Sequence, residues 1–427
     1  MARANAPKRS AKKSQPRKFA EIGGKRLLIN EVMDTLWYWM RERHSIHERR
    51  LAGQTPWTED PILKEYKFTN LFRVFDRNTQ FILNEVIPDG PSDITETSFR
   101  IILFRTFNRI ETYRRLRTHF GQLKWATFDI DDYYSELVAE KTTYGHAYFI
   151  PAPNALGGDD NRMKHLRLIY LLMTSGFPTE LKKLHHLKDA LGLTVLYPGL
   201  GQFTAFQLLL DLNMCDHFNF SEEEWAVAGP GATDGLVRIF GKEIRGIETL
   251  AINWLRENQG AYWNRLSFSP PLRHSSSKGL SAVDIEHALC EFDKYCRGKF
   301  PSTTTRRTMI KTRFAPSHEP YTGNLPKKWT KSAMAKEITR PPPSILRHGQ
   351  VYYEVSHIVM SSGKSKFLVR WLGYEPDEDT WEDAENLGES AGKSLVDWHR
   401  KCQAIEDAIA MIASGKFPSK PTTSKSR

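Results

Sequence analysis

Three aromatic residues near the C-terminus have the spacing of a binding site for a cation. Tyr353 lies in one alternating stretch, Trp371 ends a second, and Tyr374 follows directly after Gly373. Aromatic faces carry negative charge, so a hollow of three rings attracts a cation with no hydrogens left to donate, by about 0.5 to 2 kcal/mol per favourable face. A methylated ammonium group is the cation that this chemistry favours.

Two strands are needed to bring these rings together. Residues 352–359 and 367–371 are rich in β-branched and aromatic side chains, and the second stretch alternates with period 2. Residues 361–364 are short enough to join them as a hairpin. Thr380 and Trp381 re-enter the sheet, and residues 394–410 predict a helix. The sequence therefore predicts a small α+β unit, a three-stranded sheet with a C-terminal helix.

The order of these features resembles a chromodomain over residues 351–412. Two strands, a W-x-G-Y turn, an acidic loop, T-W-E and a closing helix follow one another as in that family. The resemblance implies a reader of methylated lysine in a histone tail, with Asn386 bonding a peptide that lies as an added strand beside residues 352–355. The residues it assigns to the methyl-lysine cage are Tyr353, Trp371, Tyr374 and Glu378. The alternative is that the three rings are ordinary core of a small sheet.

The positive charge of the chain is concentrated outside the predicted folded units. The 427 residues carry a formal charge of +11, with seven Lys/Arg and no acid in residues 1–18 and twelve Lys/Arg against two Glu in residues 297–347. Flexible basic segments bind phosphate backbones without sequence choice and can act as nuclear import signals. We therefore expect DNA as a partner and a nuclear location, with a role in solubility alone as the alternative.

Several classes of protein are disfavoured by composition. The four cysteines have neither metal-site spacing nor the dense pattern of secreted disulfide scaffolds, which favours a reducing compartment. No uncharged run reaches membrane-spanning length, and the N-terminus lacks the apolar stretch of a signal peptide. We expect no metal, no cofactor and no membrane partner.

Polar residues interrupt two apolar stretches of the N-terminal region, residues 68–86 and 98–116, which predict helices. Buried polar groups cost free energy unless they have partners, so these side chains face either a pocket or structural salt bridges between helices. The pocket candidates are Asn70, Arg73, Asp76, Arg105 and Asn108. His44 and His47 lie one turn apart on an earlier helix, where a solvated face is the preferred interpretation over a metal site. Asp129 is expected to cap a helix.

Two glycine-rich turns precede helices. Residues 198–201, P-G-L-G, lie between two apolar stretches in the pattern of a helix-hairpin-helix, and residues 229–232, G-P-G-A, open a later helix. Glycine lets backbone N–H groups and a helix N-terminus approach a phosphate closely. The predicted DNA-phosphate contacts are Gly199, Gly201, Gln202, Gly229 and Gly231. A simple glycine turn between core helices is the alternative.

The first turn resembles the DNA-binding hairpin of base-excision glycosylases, and the order of motifs over about residues 20–297 resembles the helical domain of 5-hydroxymethyluracil DNA kinases. Phe203 stands where lysine-dependent glycosylases carry their nucleophile. A kinase needs a P-loop, and the only near match lacks its first glycine, since Ile358 stands in that place. Whether the domain is an enzyme is left open.

The predicted architecture is multidomain, a mainly α N-terminal domain with a helix-hairpin-helix joined to the small α+β chromodomain. Its parts are a disordered basic tail (1–19), the helical domain (20–297), a basic linker (298–348), the chromodomain (349–413) and a disordered tail (414–427). One hypothesis is a chromatin-targeted DNA-handling protein. The others are a non-catalytic scaffold and reader, and a retroelement-derived protein.

Overall fold

The computed structural model describes most of the chain. The described residues are 18–145, 150–223, 225–268, 279–301, 307–316, 321–330, 345–347, 350–387 and 391–420. Residues 1–17 of the predicted basic tail, 331–344 of the predicted linker and 421–427 of the C-terminal tail lie outside this set. Lys18 and Phe19, which were predicted to belong to the disordered tail, instead begin a hairpin of β1 (Lys18–Ile22) and β2 (Lys25–Ile29).

The N-terminal domain is mainly α, as predicted. Aspartate side chains accept backbone N–H groups at the starts of four of its helices, and the predicted cap at Asp129 is confirmed. Its helices are α1 (Val32–Leu51), α2 (Pro61–Glu65), α3 (Arg77–Phe81), α4 (Ile94–Phe107), α5 (Ile110–Phe120), α6 (Ile130–Val138), α7 (Asn161–Thr174), α8 (Phe177–Lys182), α9 (Leu187–Thr194), α10 (Gln202–Leu212), α11 (Pro230–Phe240), α12 (Glu248–Arg265) and α13 (Ala282–Lys299).

Both of the polar helices expected from the sequence are broken. Residues 68–86 form a 3₁₀ turn at Arg73–Phe75, then α3, then a π-helical turn, with Asp76 in extended conformation between the first two. Residues 98–116 divide between α4 and α5 because Asn108 adopts a left-handed conformation with φ of 48°. No single helix therefore carries Asn70, Arg73 and Asp76, although residues 68–86 were predicted to form one helix.

The C-terminal unit has the predicted three-stranded antiparallel sheet and closing helix. The sheet consists of β5 (Val355–Ser362), β6 (Lys366–Trp371) and β7 (Thr380–Asp383), in that order, and α14 (Gly392–Ala413) follows. A separate hairpin of β3 (Ile345–Arg347) and β4 (Gln350–Tyr352) precedes it. One edge of β4, up to Tyr352, is therefore already paired with β3.

The central strand β6 is buried on both faces, which its alternating sequence did not predict. The ring of Phe367 contacts His399 of α14, with centroids 5.7 Å apart. Leu368 and Arg370 point to the opposite face, where α9 of the helical domain covers the sheet, and they are only 5% and 4% exposed. The two domains are therefore packed together through β6 and its neighbour β5.

A cluster of four charged residues joins the domains. Arg370 Nε lies 2.5 Å from Asp379 Oδ1 in its own domain, and Arg370 Nη2 lies 3.1 Å from Asp189 Oδ1 on α9. Lys188 Nζ lies 2.9 Å from Asp379 Oδ2. Burial alone would raise the pKa of Asp189, but His357 and Arg370 hold it below its ordinary value. Asp189 is therefore charged at neutral pH and binds the sheet electrostatically.

The segments on either side of the C-terminal unit were predicted to be a linker and a disordered tail, but parts of both pack against the helical domain. In the predicted linker, Lys67 N donates to Thr312 O at 3.1 Å, and Phe314 N donates to Glu65 O at 2.9 Å. In the predicted C-terminal tail, Lys420 Nζ donates to the backbone carbonyls of Trp125 and Phe128 in the turn before α6, and Phe417 packs on Tyr170 with ring centroids 5.3 Å apart. The C-terminal unit is thus held at its tail as well as at its sheet.

We predict that Gly192→Ala separates the two domains. A Cβ at Gly192 would lie 1.8 Å from Val359 O of β5, a backbone atom that cannot move aside. Helix propensity alone would raise the free energy of unfolding by about 1 kcal/mol, so any loss of stability in the variant must come from the steric clash. We expect faster amide hydrogen exchange in α9 and β5 and earlier proteolytic cleavage between the domains.

The matched control is Gly260→Ala, a helical glycine in α12 with no atom within 4 Å of its added Cβ. Its exchange and proteolysis should match those of the wild type. Unchanged exchange in Gly192→Ala would contradict the close docking of α9 on β5.

Candidate functional site

The three predicted cage aromatics lie together at one end of the sheet. Tyr353 follows β4, Trp371 ends β6, and Tyr374 sits in a turn that Gly373 allows with φ of 83°. The ring of Tyr353 lies 6.0 Å from that of Trp371, inclined at 59°, and 5.8 Å from that of Tyr374, inclined at 75°. Tyr353 is 47% exposed. Three inclined, accessible rings have the geometry of a hollow for a cation, and their role as a cage stays a prediction.

A hydrogen bond holds one of these rings in place, and a carboxylate adds negative charge beside them. Trp371 Nε1 donates to Thr380 Oγ1 at 3.0 Å, which holds the indole against β7. Glu378 Oε2 accepts from Glu375 N at 3.0 Å, so its carboxylate is held in the acidic loop beside the rings. Desolvation raises the pKa of the Tyr374 phenol, and Tyr353 and Glu378 add to this effect. Asn386 is exposed in the 3₁₀ turn Ala384–Leu387, and its contact with a peptide stays a prediction.

In the helical domain, two of the pocket candidates converge on a residue that sequence reasoning did not select. Arg73 Nη2 lies 2.6 Å from Asp211 Oδ1, and Arg105 bonds the other oxygen of the same carboxylate. Asp211 is 0% exposed. Burial alone would lower the pKa of Arg73, but Asp211 reverses this and the net pKa is raised. An acid at the end of an apolar helix, L-L-L-D, is the signal that could have found it.

The other candidates form a neighbouring group and a separate one. Asn70 N donates to Asp76 Oδ1 at 2.7 Å, and Asp76 Oδ2 lies 3.0 Å from His287 Nε2 on α13. The charge of Asp76 also acts on Arg73, so this group adjoins the Asp211 cluster. Asn108 instead accepts from Asn78 Nδ2 at 2.8 Å, at the break between α4 and α5.

The glycine turns are placed differently from one another. Gly199, with φ of 81°, packs against Pro151, whereas Gly201 has no atom within 4 Å of an added Cβ and Gln202 is exposed at the start of α10. Two helices do flank this turn, but a helix-hairpin-helix is not established. The phosphate contacts at Gly199, Gly201 and Gln202 stay predictions.

The second turn has a packing role instead of an open anion site. Gly229 N donates to Glu286 Oε1 at 2.9 Å, so a carboxylate already occupies this amide. A Cβ at Gly231 would lie 2.3 Å from Cys290 Sγ, which shows why α11 needs glycine where it meets α13. Burial raises the pKa of Glu286 to about 7. Glu286, which the sequence did not single out, is thus the second missed polar residue, and Arg73 and His287 act on it.

His44 and His47 are buried, so the preference for a solvated helix face was wrong. They are 2% and 3% exposed, and His47 stacks on Phe75 with ring centroids 4.2 Å apart. Burial lowers the pKa of His44 to about 4 and that of His47 to about 3. Both are therefore neutral at pH 7, and the 3.6 Å contact of His44 with Glu48 is not an ion pair there. Over the described residues, no group of three metal-ligating side chains occurs.

Comparison with known proteins now identifies the N-terminal domain. The family model described as "5-hmdU DNA kinase, helical domain" matches residues 30–305, more than half of the chain. The chain belongs to this family. A second family model, the chromo (chromatin organisation modifier) domain, matches residues 353–401, so the C-terminal unit is a chromodomain.

Individual relatives agree with both assignments. The chain is 23% identical over 297 residues to a 5-hmdU DNA kinase of Bacillus phage SP10, covering 62% of this chain and 45% of that protein. Over 75 residues it is 32% identical to chromo domain-containing protein cec-3 of Caenorhabditis elegans, covering 17% and 22%. Over 49 residues it is 43% identical to chromatin-associated protein SWI6 of Cryptococcus neoformans, covering 11% and 22%.

The chain spans less than half the length of each of these relatives. No solved structure matches it at a significant level. Among the described helices, none is both long and apolar enough to cross a bilayer.

A segment beyond the family match covers part of the 5-hmdU DNA kinase-type domain. We call residues 321–330 the strap. Its Tyr321 hydroxyl lies 2.6 Å from His47 Nδ1, and its Lys328 Nζ lies 3.1 Å from Asn213 Oδ1. The strap therefore reaches the buried histidines at one end and α10 at the other, and it lies in the region predicted to be linker.

We predict that Asp211→Asn destabilises the kinase-type domain by about 3–5 kcal/mol, because two buried guanidinium groups lose their counter-charge. Arg73 and Arg105 are 6% and 3% exposed, so water cannot replace the carboxylate. Urea unfolding measures the change. Asp34→Asn is the control, since its pair with Arg265 is exposed and should change the free energy by no more than about 0.5 kcal/mol.

We also predict that the domain loses stability in mild acid through His44 and His47. Both histidines titrate near 6.5 when unfolded and at about 4 and about 3 when folded. Since the unfolded chain takes up protons first, their contribution is complete above pH 6.5 and is lost as the pH falls from 6.5 towards 4 and then 3. The loss is at most about 3 kcal/mol for His44 and about 5 kcal/mol for His47.

The variant His44→Phe should flatten this pH dependence in chemical unfolding between pH 7 and 4. His185→Phe replaces an exposed histidine and should leave the slope as in the wild type. Equal slopes for all three proteins would contradict the buried, neutral state of His44.

Proposed function

We propose that this protein reads a methylated lysine of a histone tail through its chromodomain and engages DNA through its kinase-type helical domain, in the nucleus. The observation that supports the reader function is the arrangement of Tyr353, Trp371 and Tyr374, in which the ring of Tyr353 lies within 6.0 Å of each of the other two rings and is inclined to both. Such rings attract a methylated ammonium through their negative faces. Glu378 lies beside them, and its negative charge attracts the positively charged ligand.

The histone peptide would reach the cage along the chain around Tyr352–Val355. Main-chain hydrogen bonds of an added strand would supply affinity, and the cage would select the methylation state of the lysine. Because β3 already pairs with Tyr352, the peptide would either displace β3 or use the opposite edge. Asn386 is exposed nearby in the chain and is the proposed side-chain contact with the peptide backbone.

Features of the helical domain and of the basic segments that flank it support contact with DNA. The turn at Gly201 and Gln202 is open and starts α10, where backbone N–H groups point outwards. The excess of Lys and Arg in residues 1–18 and 297–347 adds attraction to phosphate that falls with salt. Joining a weak histone reader to a weak DNA binder raises the affinity for chromatin through effective concentration.

A non-catalytic scaffold is the second candidate, and the Asp211 cluster favours it. Arg73 and Arg105 are committed to an internal salt bridge, as structural residues are, and do not line an open pocket. Two cavities of about 210 and 490 Å³ are lined by other residues, around Arg115 and around Asp60. The reader function does not depend on which of the two candidates holds for the helical domain.

The test is binding of the full chain to histone tail peptides in trimethylated and unmodified form, measured by fluorescence anisotropy. We expect preference for the methylated peptide and a loss of about 2- to 30-fold in affinity for Trp371→Ala, which corresponds to the binding free energy of one aromatic face.

The control is Trp381→Ala, which removes an exposed tryptophan of β7 outside the cage and should keep the preference. Equal binding of both peptides by the wild type would refute the reader.

A further inference from the structure

One side chain of the helical domain binds the acidic loop of the chromodomain, residues 375–379. Lys188, in the first turn of α9, donates from Nζ to Pro376 O at 2.5 Å and lies 2.9 Å from Asp379 Oδ2. In sequence these two contacts lie on either side of Glu378, the acid assigned to the proposed cage. Lys188 therefore holds both ends of the turn that carries this acid.

The contacts of Lys188 are largely shielded from water. Its side chain is 14% exposed, and that of Asp379 is 0% exposed. Exposed ion pairs contribute little to stability, whereas shielded pairs are screened less by solvent and salt. A cation in the first turn of a helix also opposes the helix dipole. Helix α9 thus carries a lysine where its own electrostatics disfavour one, which indicates that the residue serves the contact with the loop.

Within the acidic loop, hydrogen bonds fix the carboxylate of Glu378. Pro376–Glu378 form a 3₁₀ turn, in which Glu378 N donates to Glu375 O at 3.0 Å. In return Glu378 Oε2 accepts from Glu375 N, also at 3.0 Å. Because Glu375 directly follows Tyr374 in the chain, this reciprocal pair ties the carboxylate to the backbone next to a ring of the proposed cage. A displacement of the turn would move the carboxylate with it.

Contacts other than those of Lys188 also hold the two domains together. Arg370 bonds both oxygens of Asp379, with Nε at 2.5 Å from Oδ1 and Nη2 at 3.1 Å from Oδ2, and it also pairs with Asp189 of α9. The backbone of α9 meets that of β5 at Gly192. Removing the lysine side chain would leave these contacts in place and release only the carbonyl at the start of the turn. The role of Lys188 in the loop can therefore be separated from domain docking.

We propose that Lys188 is a positioning residue of the methyl-lysine reader, so that the helical domain takes part in histone binding by placing the Glu378 carboxylate beside the cage. This proposal rests on the reader function proposed above. The ligand is a cation, and a loop that is already ordered does not lose conformational entropy when the ligand binds. The chromodomain would therefore bind the methylated lysine at full strength only while α9 is docked on it.

The first variant is Lys188→Met, which removes the ammonium group and keeps most of the length of the side chain. We expect the affinity of the full chain for a trimethylated histone tail peptide to fall about two- to fivefold, the range of one charge interaction near the surface. Fluorescence anisotropy measures the change. The matched control is Lys183→Met, an exposed lysine directly after α8 that pairs with Glu180, and it should bind as the wild type does.

A double-mutant cycle separates positioning from a general loss of stability. Glu378→Gln removes the charge that Lys188 positions, so adding Lys188→Met to Glu378→Gln should cause no further loss of affinity. A lysine that acted only on stability would weaken both backgrounds equally. Hydrogen exchange gives a second readout without any peptide. The amide of Glu378 should exchange faster in Lys188→Met, whereas the amides of β5, at the docking surface, should exchange as in the wild type.

The possible outcomes separate this proposal from the reader function. If the wild type prefers the trimethylated peptide but Lys188→Met binds it equally well, the positioning role is overturned and the reader stands. Equal losses in the two backgrounds, or unchanged exchange at Glu378, would also overturn the positioning role alone. Equal binding of trimethylated and unmodified peptides by the wild type would refute the reader, and this proposal with it.

Discussion

The carboxylate of Asp211 is the charge around which the helical domain is arranged. It lies at 0% exposure between Arg73, in a 3₁₀ turn, and Arg105, in α4, and so joins three elements that are far apart in sequence. An unpaired charge in such a place is strongly unfavourable, whereas two guanidinium groups compensate it. The adjoining contacts of Asp76 with Asn70 and His287 extend the same network to α13.

A second buried charge cluster decides how the chromodomain is presented. Arg370 is shared between Asp379 of its own domain and Asp189 of α9. Its neighbour in sequence, Trp371, belongs to the proposed cage, and Asp379 directly follows Glu378 of the acidic loop. The contacts that hold the chromodomain on the helical domain thus lie one residue away from those proposed to hold the histone lysine. A ligand that shifts the acidic loop acts on α9 through the same side chains.

Local patterns in the sequence predicted the elements whose formation depends on near neighbours. The hairpin of β5 and β6, the closing helix and the cap at Asp129 follow from alternation, turn residues and capping chemistry, and the chromodomain is recognised from the order of its motifs. The breaks at Asp76 and Asn108 were missed because a helical spacing of polar residues looks continuous when backbone conformation is not known.

The remaining errors share one cause, contacts between residues far apart in the chain. His44 and His47 were assigned to solvent, yet Tyr321 contacts His47 from 274 residues further along the chain, and Phe268 contacts His44. The burial of Arg370 was not predicted because α9, which covers it, belongs to another domain. Gly229 was read as an anion site because Glu286, which occupies its amide, lies 57 residues away.

The close approach at Gly192 also bears on how such a protein can arise and change. Domains joined by an open tether can be exchanged during evolution with little adjustment of either partner. Here the helical domain has a glycine where the backbone of β5 leaves no room for a side chain, and an aspartate opposite Arg370. Each surface is shaped for the other, so exchanging either domain would require a partner that keeps a residue without a side chain opposite β5 and an arginine opposite Asp189.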